Sequence, residues 1–169
     1  METTQTNLNI ITDTLAGEKR FPPIIRSIWF SLNQSFRQRL INAGTGITPN
    51  QFTVLRWLTE FPHNELSQKD ITLLMSSDAN TIASLMRRME EDGLISRITS
   101  PEDRRCNIPQ ITEKGRQVLS QAQPIAMELQ AEIFSTLTEE ERELFINMLI
   151  RVADSCRSSL RTNTINTIS

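Results

Sequence analysis

The sequence holds one histidine, His63, no tyrosine and only two cysteines, Cys106 and Cys156. A nucleophilic relay needs a positioned base, and a zinc centre draws mainly on His and Cys, so both chemistries are poorly supplied and no metal or cofactor is expected. Two cysteines make no disulfide framework, and no CxxC occurs, which fits a reducing compartment. No apolar run approaches the ~20 residues of a membrane-spanning helix. The opening METTQTNLNI has no basic stretch leading into an apolar one, so a cytoplasmic location is expected rather than export. An excess of one charge is also missing. The 18 basic and 20 acidic residues leave a net charge of −2, so any nucleic-acid role has to rest on local charge. Lysine is scarce, because 15 of the 18 basic residues are arginine. Arginine's planar fork suits bidentate contacts to phosphates and base edges.

What is present is a soluble-type composition, 38% apolar and 22% charged over 169 residues, enough for one core. Residues 1–20 read as a mobile arm or a short extra helix. Phe21-Pro22-Pro23 opens a helix whose apolar stripe is Ile25, Ile28, Trp29, Leu32, Phe36 and Leu40. Gly44 and Gly46 end that segment. Three capping boxes follow: Thr48-Pro49-Asn50-Gln51, Ser67-Gln68-Lys69-Asp70 and, later, Thr138-Glu139-Glu140-Glu141. Between the second and third, Ser76-Ser77-Asp78 breaks a short helix and caps another over Ala79–Asp92, closed by Gly93. The period then drops to two. Leu94–Ile98 and Cys106–Ile111 read as a hairpin around turn residues Ser100–Arg104, although Pro109 is unusual in a strand. Thr112 caps a long helix interrupted by Pro124, where a kink is expected. The last helix carries the stripe Leu144, Phe145, Met148, Leu149 and Val152, and the tail 162–169 reads as disordered.

Two short helices joined by a tight turn, the second with a polar face, follow the helix-turn-helix plan. A B-DNA major groove about 12 Å wide admits one helix. Its N-terminal N–H groups also suit phosphate. Ser77, Asn80, Thr81 and Ser84 are short hydrogen-bonding side chains placed to meet base edges, and Arg87 and Arg88 can reach phosphates. The hairpin adds Arg97, Arg104 and Arg105, within reach of a neighbouring minor groove. One count opposes this reading: Ser67–Thr112 holds six basic and seven acidic residues.

The hairpin segment Asp103-Arg104-Arg105-Cys106-Asn107-Ile108-Pro109-Gln110-Ile111-Thr112, flanked by Glu90-Glu91-Asp92-Gly93-Leu94-Ile95-Ser96-Arg97 and by Thr112-Glu113-Lys114-Gly115, resembles the wing of the multiple antibiotic resistance regulator (MarR) family. Thr48-Pro49-x-Gln51-Phe52-x-Val54-Leu55 is similar to that family's second helix. The resemblance implies a mainly α fold with a small β-hairpin wing, a winged helix-turn-helix carried between N- and C-terminal dimerisation helices. Its parts would be a first dimerisation helix at 21–46, a DNA-binding lobe at 47–112 and C-terminal dimerisation helices at 113–161. It further implies a homodimer on a pseudo-palindromic operator in double-stranded DNA, repressing transcription until a small aromatic or anionic effector binds. It implies that Asp103 pairs with Arg97 and Arg105, steering Arg105 into the minor groove. The chain departs from the family at Pro109, at Pro124, and at Ala83 and Ser84, where the recognition helix usually carries other polar or basic residues.

Each feature also has a plainer reading. Trp29 and Trp57 sit on helical stripes, where aromatics are usually core. Between the dimer helices and the reading head they also suit the wall of an effector pocket. Cys106 reads as a small half-buried residue and His63 as a solvated loop residue. The rival function is a winged-helix protein-interaction module that does not bind DNA. An enzyme stands third, since no convergent acid, base or metal set is visible.

Overall fold

Local hydrogen bonding sets where each helix starts and stops. The computed structural model describes residues 21–61, 66–99 and 107–165. Among these the order is α1 (Phe21–Asn42), α2 (Pro49–Glu60), α3 (Gln68–Leu74), α4 (Ala79–Glu91), β1 (Ile95–Thr99), β2 (Asn107–Ile111), α5 (Glu113–Phe134) and α6 (Glu139–Ile165). All three expected capping boxes form. At α2 the Thr48 N–H donates to Gln51 Oε1 at 2.8 Å and the Gln51 N–H to Thr48 Oγ1 at 3.3 Å. Ser67 and Asp70 exchange the same pair of bonds at 2.9 and 3.2 Å, as do Thr138 and Glu141.

The stops are equally local. After α1, the Gly44 N–H donates to Ile41 O and the Thr45 N–H to Leu40 O. This is the Schellman pattern, and it needs a left-handed residue at its centre. Gly44 supplies it at φ +66°, and Gly93 closes α4 in the same way at φ +69°. There the Leu94 N–H reaches Met89 O at 2.8 Å, and both side chains are buried, which is the hydrophobic contact such a motif usually carries. The helix therefore ends at Glu91, and Leu94 belongs to its stop rather than to the strand. The α3 stop has the same pattern with Ser76 at its centre, at φ +48°. A side chain in that conformation costs about 1 kcal/mol or more.

The division into two compact units falls between Ala126 and Met127, inside α5 rather than at its start. In the first unit, Phe36 of α1 meets Phe52 of α2 edge to face, with ring centroids 5.0 Å apart. Leu40, Val54, Leu55, Ile71, Ile82, Met86, Met89 and Ile95 complete a core shared by α1–α4 and the hairpin. In the second unit, Phe134 and Phe145 meet edge to face at 6.2 Å. The helix continues across Pro124. At the C-terminus α6 runs to Ile165, past the start of the expected disordered tail, because Thr162–Ile165 contain no Gly or Pro to stop it.

The hairpin explains its proline. β1 and β2 pair antiparallel with Ile95 opposite Ile111 and Arg97 opposite Pro109. Just outside the ladder the Thr112 N–H donates to Leu94 O at 3.1 Å. Hydrogen-bonded and non-hydrogen-bonded pairs alternate along such a ladder. Counting inward from Leu94 and Thr112, Arg97 and Pro109 form a non-hydrogen-bonded pair. The missing proline N–H therefore removes no ladder bond.

Candidate nucleic-acid interface

At about 100° per residue, Ile82, Met86 and Met89 fall on one face of α4, and Asn80, Ser84, Arg87 and Glu91 fall on the opposite face. The structure keeps that division. The three apolar residues are buried, while Asn80, Thr81, Arg87 and Arg88 are exposed and Ser84 is half-buried. Ser77 is half-buried in the turn before the helix. This face is a row of short polar residues leading to two arginines.

The helix start is held by Asp78. Its Oδ1 accepts from the Thr81 N–H at 2.9 Å, and its Oδ2 accepts from the Thr81 hydroxyl at 2.5 Å. Two consequences follow for recognition. The Thr81 N–H is already committed and is not open to a phosphate. The Thr81 hydroxyl proton is committed as well, so its oxygen can only accept, and it suits a base-edge donor.

The hydrogen bond from the Thr81 side chain holds the Asp78 carboxyl below the usual carboxylate range, helped by the Thr81 N–H. The Ser67 hydroxyl does the same for Asp70 at the start of α3, helped by the Ser67 N–H. A carboxyl with a lowered folded-state pKa stabilises the fold above its unfolded value and loses that contribution as pH falls through the folded value. The melting temperature is therefore expected to be flat from about pH 7 to pH 5 and to drop below about pH 4. The Asp70→Asn/Asp78→Asn double variant should show a shallower acid limb. An acid limb identical to wild type would remove both caps from this account.

Two of the arginines are paired. Arg87 Nη1 lies 3.2 Å from Glu91 Oε1 on the same helix, and Arg97 Nε lies 3.0 Å from Glu90 Oε2, across the Gly93 stop. Arg88 carries no ion pair among the described residues. The seven acids counted against DNA binding thus include two that pair with Arg87 of α4 and Arg97 of β1. The sequence shows Glu90 and Glu91 only as two of the acids that oppose DNA binding, without either pairing. The i,i+4 spacing of Arg87 and Glu91 was a readable signal. The Arg97 pairing depends on the turn at Gly93 and was not readable.

A second group fixes the joint between α4, the hairpin and α5. The Thr112 hydroxyl donates to Gly93 O at 2.7 Å and accepts from the Gly115 N–H at 3.0 Å. Lys114 Nζ donates to Asp92 O at 2.6 Å, placing a cation at the negative end of the α4 dipole. Gln51 Nε2 reaches Asp92 Oδ2 at 3.4 Å. Asp103, Arg104, Arg105, Cys106 and His63 lie outside the described residues. Trp57 is half-buried on α2, and Trp29 is 63% exposed on α1. Among the described residues no group of His, Cys, Asp or Glu is clustered to hold a metal ion, and no helix is long and apolar enough to cross a membrane.

Known proteins share this arrangement. The MarR family model matches residues 47–107, from the start of the lobe into the second strand. The HTH-type transcriptional regulator MhqR of Bacillus subtilis is 36% identical over 107 residues, covering 63% of this chain and 72% of that protein. Among solved structures, the Staphylococcus aureus MepR–DNA complex superposes with a TM-score of 0.73 at 25% identity, covering 82% of this chain and 98% of that one. Bordetella bronchiseptica BpsR, described for regulation of its DNA binding by 6-hydroxynicotinic acid, shares the fold, with a TM-score of 0.71 at 22% identity over 80% of this chain and 94% of that one. The capped reading helix, the hairpin behind it and these relatives agree: the chain belongs to the MarR family of DNA-binding winged-helix transcriptional regulators, which are not enzymes.

Proposed function

We propose that the protein is a homodimeric, sequence-specific repressor whose operator binding is relieved by a small aromatic or anionic effector. The observation that carries DNA reading is the polar row of exposed Asn80, half-buried Ser84 and exposed Arg87 on a capped helix whose other face is buried. Ser77, Thr81, Arg88 and Arg97 flank that row, with the wing residues Asp103, Arg104 and Arg105 beyond it in sequence. Dimerisation is supported by the apolar stripe of α1. Its last two turns bury Phe36 and Leu40, while Ile28, Trp29 and Leu32 before them remain exposed. A C2 dimer presents two reading heads, so the operator is a pseudo-palindrome with half-sites about 34–36 Å apart.

The effector reading rests on Trp29 and Trp57 and on the fold shared with BpsR, a protein whose DNA binding responds to an aromatic acid. A ligand changes occupancy only if it favours a state whose recognition helices are wrongly spaced.

Selection of duplexes from a random-sequence pool, followed by footprinting, tests the reading directly. The expected result is a two-fold sequence protected over two adjacent turns, with an affinity that a panel of aromatic acids weakens. Failure to enrich any sequence would favour the protein-interaction alternative. The wing makes a separate prediction. Arg105→Ala is expected to cost about 1–3 kcal/mol of operator binding if its guanidinium reads the minor groove. If it only neutralises one phosphate, the salt slope drops by ~0.9 with specificity unchanged. Anisotropy titrations at several salt concentrations separate these outcomes. Unchanged binding would remove Arg105 from the interface.

A further inference from the structure

We propose that Glu90 is a positioning residue for DNA recognition: by holding Arg97 it locks the root of the hairpin to the end of the recognition helix, so that helix and hairpin read DNA as one unit. The inference rests on the DNA-reading function of this lobe. A carboxylate beside a phosphate-binding surface is repulsive, so its presence needs a compensating role. The geometry supplies one. Glu90 Oε2 and Arg97 Nε are 3.0 Å apart, with the two side chains 44% and 30% exposed.

Between these residues the chain turns at Gly93, with φ +69°. Among the described residues the hairpin consists of two strands, β1 and β2. The joint's other ties act close to the turn: Thr112 on Gly93 O, Lys114 on Asp92 O and Gln51 on the Asp92 side chain. Arg97 is the point farther along β1 at which a side chain reaches back to the helix. It also faces Pro109 on the same side of the ladder, and the fixed proline φ stiffens β2 at that register.

The test compares wild type, Glu90→Gln, Arg97→Gln and the double variant on two probes: a duplex enriched by the wild-type protein from a random pool, and poly(dI-dC). Glutamine keeps the shape and removes the charge. Positioning predicts that Glu90→Gln binds the enriched duplex about tenfold more weakly while its affinity for poly(dI-dC) does not fall, so the specificity ratio drops. It also predicts that Glu90→Gln has no further effect once Arg97 is replaced. The melting temperature should stay near the wild-type value, since a partly exposed pair contributes little to stability. If Glu90 merely neutralises Arg97, both affinities rise together and the salt slope steepens by ~0.9. That outcome, or additive effects in the double variant, overturns the proposal. A wild-type protein that enriches no duplex overturns the DNA reading itself, and the positioning role with it.

Discussion

Replacing Gly115 with alanine is expected to lower the melting temperature by about 10 °C, a loss of about 3 kcal/mol at the upper end of overpacking costs. Helix propensity predicts the opposite sign, because alanine outranks glycine inside a helix by about 1 kcal/mol. Packing decides the contest. A Cβ on Gly115 would lie 2.2 Å from the backbone oxygen of Leu94, 2.9 Å from Ile111 Cγ1 and 3.2 Å from Leu55 Cδ2. The nearest of these is backbone at the root of the hairpin, which cannot rotate away as a side-chain end would. Relief requires α5 to move off the hairpin, breaking the bond from the Gly115 N–H to Thr112 Oγ1 and loosening the Thr112 bond to Gly93 O. The variant should therefore also read DNA less selectively than its stability loss alone implies. Thermal unfolding followed by circular dichroism checks the first claim. A melting temperature equal to or above wild type would mean that the first turn of α5 is not closed against the hairpin.

The helices were legible because their starts and stops are written in adjacent residues. A capping box spans four positions and a Schellman stop six, so Thr48, Ser67, Asp78, Thr138, Gly44 and Gly93 announce themselves without tertiary information. The polar face of α4 was legible for the same reason, since a period of 3.6 separates Asn80 and Arg87 from Ile82 and Met86. What stayed hidden lies between elements. Gly115 looked like one more residue of a motif, and its necessity appears only when Leu94, Ile111 and Leu55 converge on it. Glu90 looked like a charge opposed to DNA, and its partner Arg97 is set by the turn at Gly93. Pro109 looked like an argument against a strand until the register put it at a pair that needs no N–H. Ser76 gave no sequence signal of its left-handed backbone, because glycine is the usual marker and it is absent there.

The double variant Leu144→Lys/Met148→Lys is expected to be a folded monomer at micromolar concentration and to bind the operator at least ~100-fold more weakly. On α6 the stripe Leu144, Phe145, Met148, Leu149 and Val152 covers an arc of about 140°, and Ile146 and Ile150 lie outside that arc. Leu144, Ile146, Met148, Ile150 and Val152 are all exposed in the single chain, Leu144 by 55% and Met148 by 49%. A helix this apolar over so wide an arc needs cover, which a second copy would supply in the proposed homodimer. Burying each such side chain stabilises by about 1.5–3 kcal/mol. Two-fold symmetry counts each substitution twice, and every lysine would have to be desolvated at the interface or keep it open. Lysine is a good helix former, and at position 144 it stands four residues after Glu140, so the helix itself should survive. Operator binding falls because a monomer engages one half-site and loses the ~10²–10⁴-fold gain from linking two. The added positive charge works in the other direction, since it strengthens non-specific attraction to DNA. A fall in affinity therefore cannot be attributed to electrostatics. Sedimentation and anisotropy on the enriched duplex read the two quantities separately. A variant that stays dimeric would move the interface off this face of α6, and a monomer that binds as tightly as wild type would break the link between dimerisation and operator recognition.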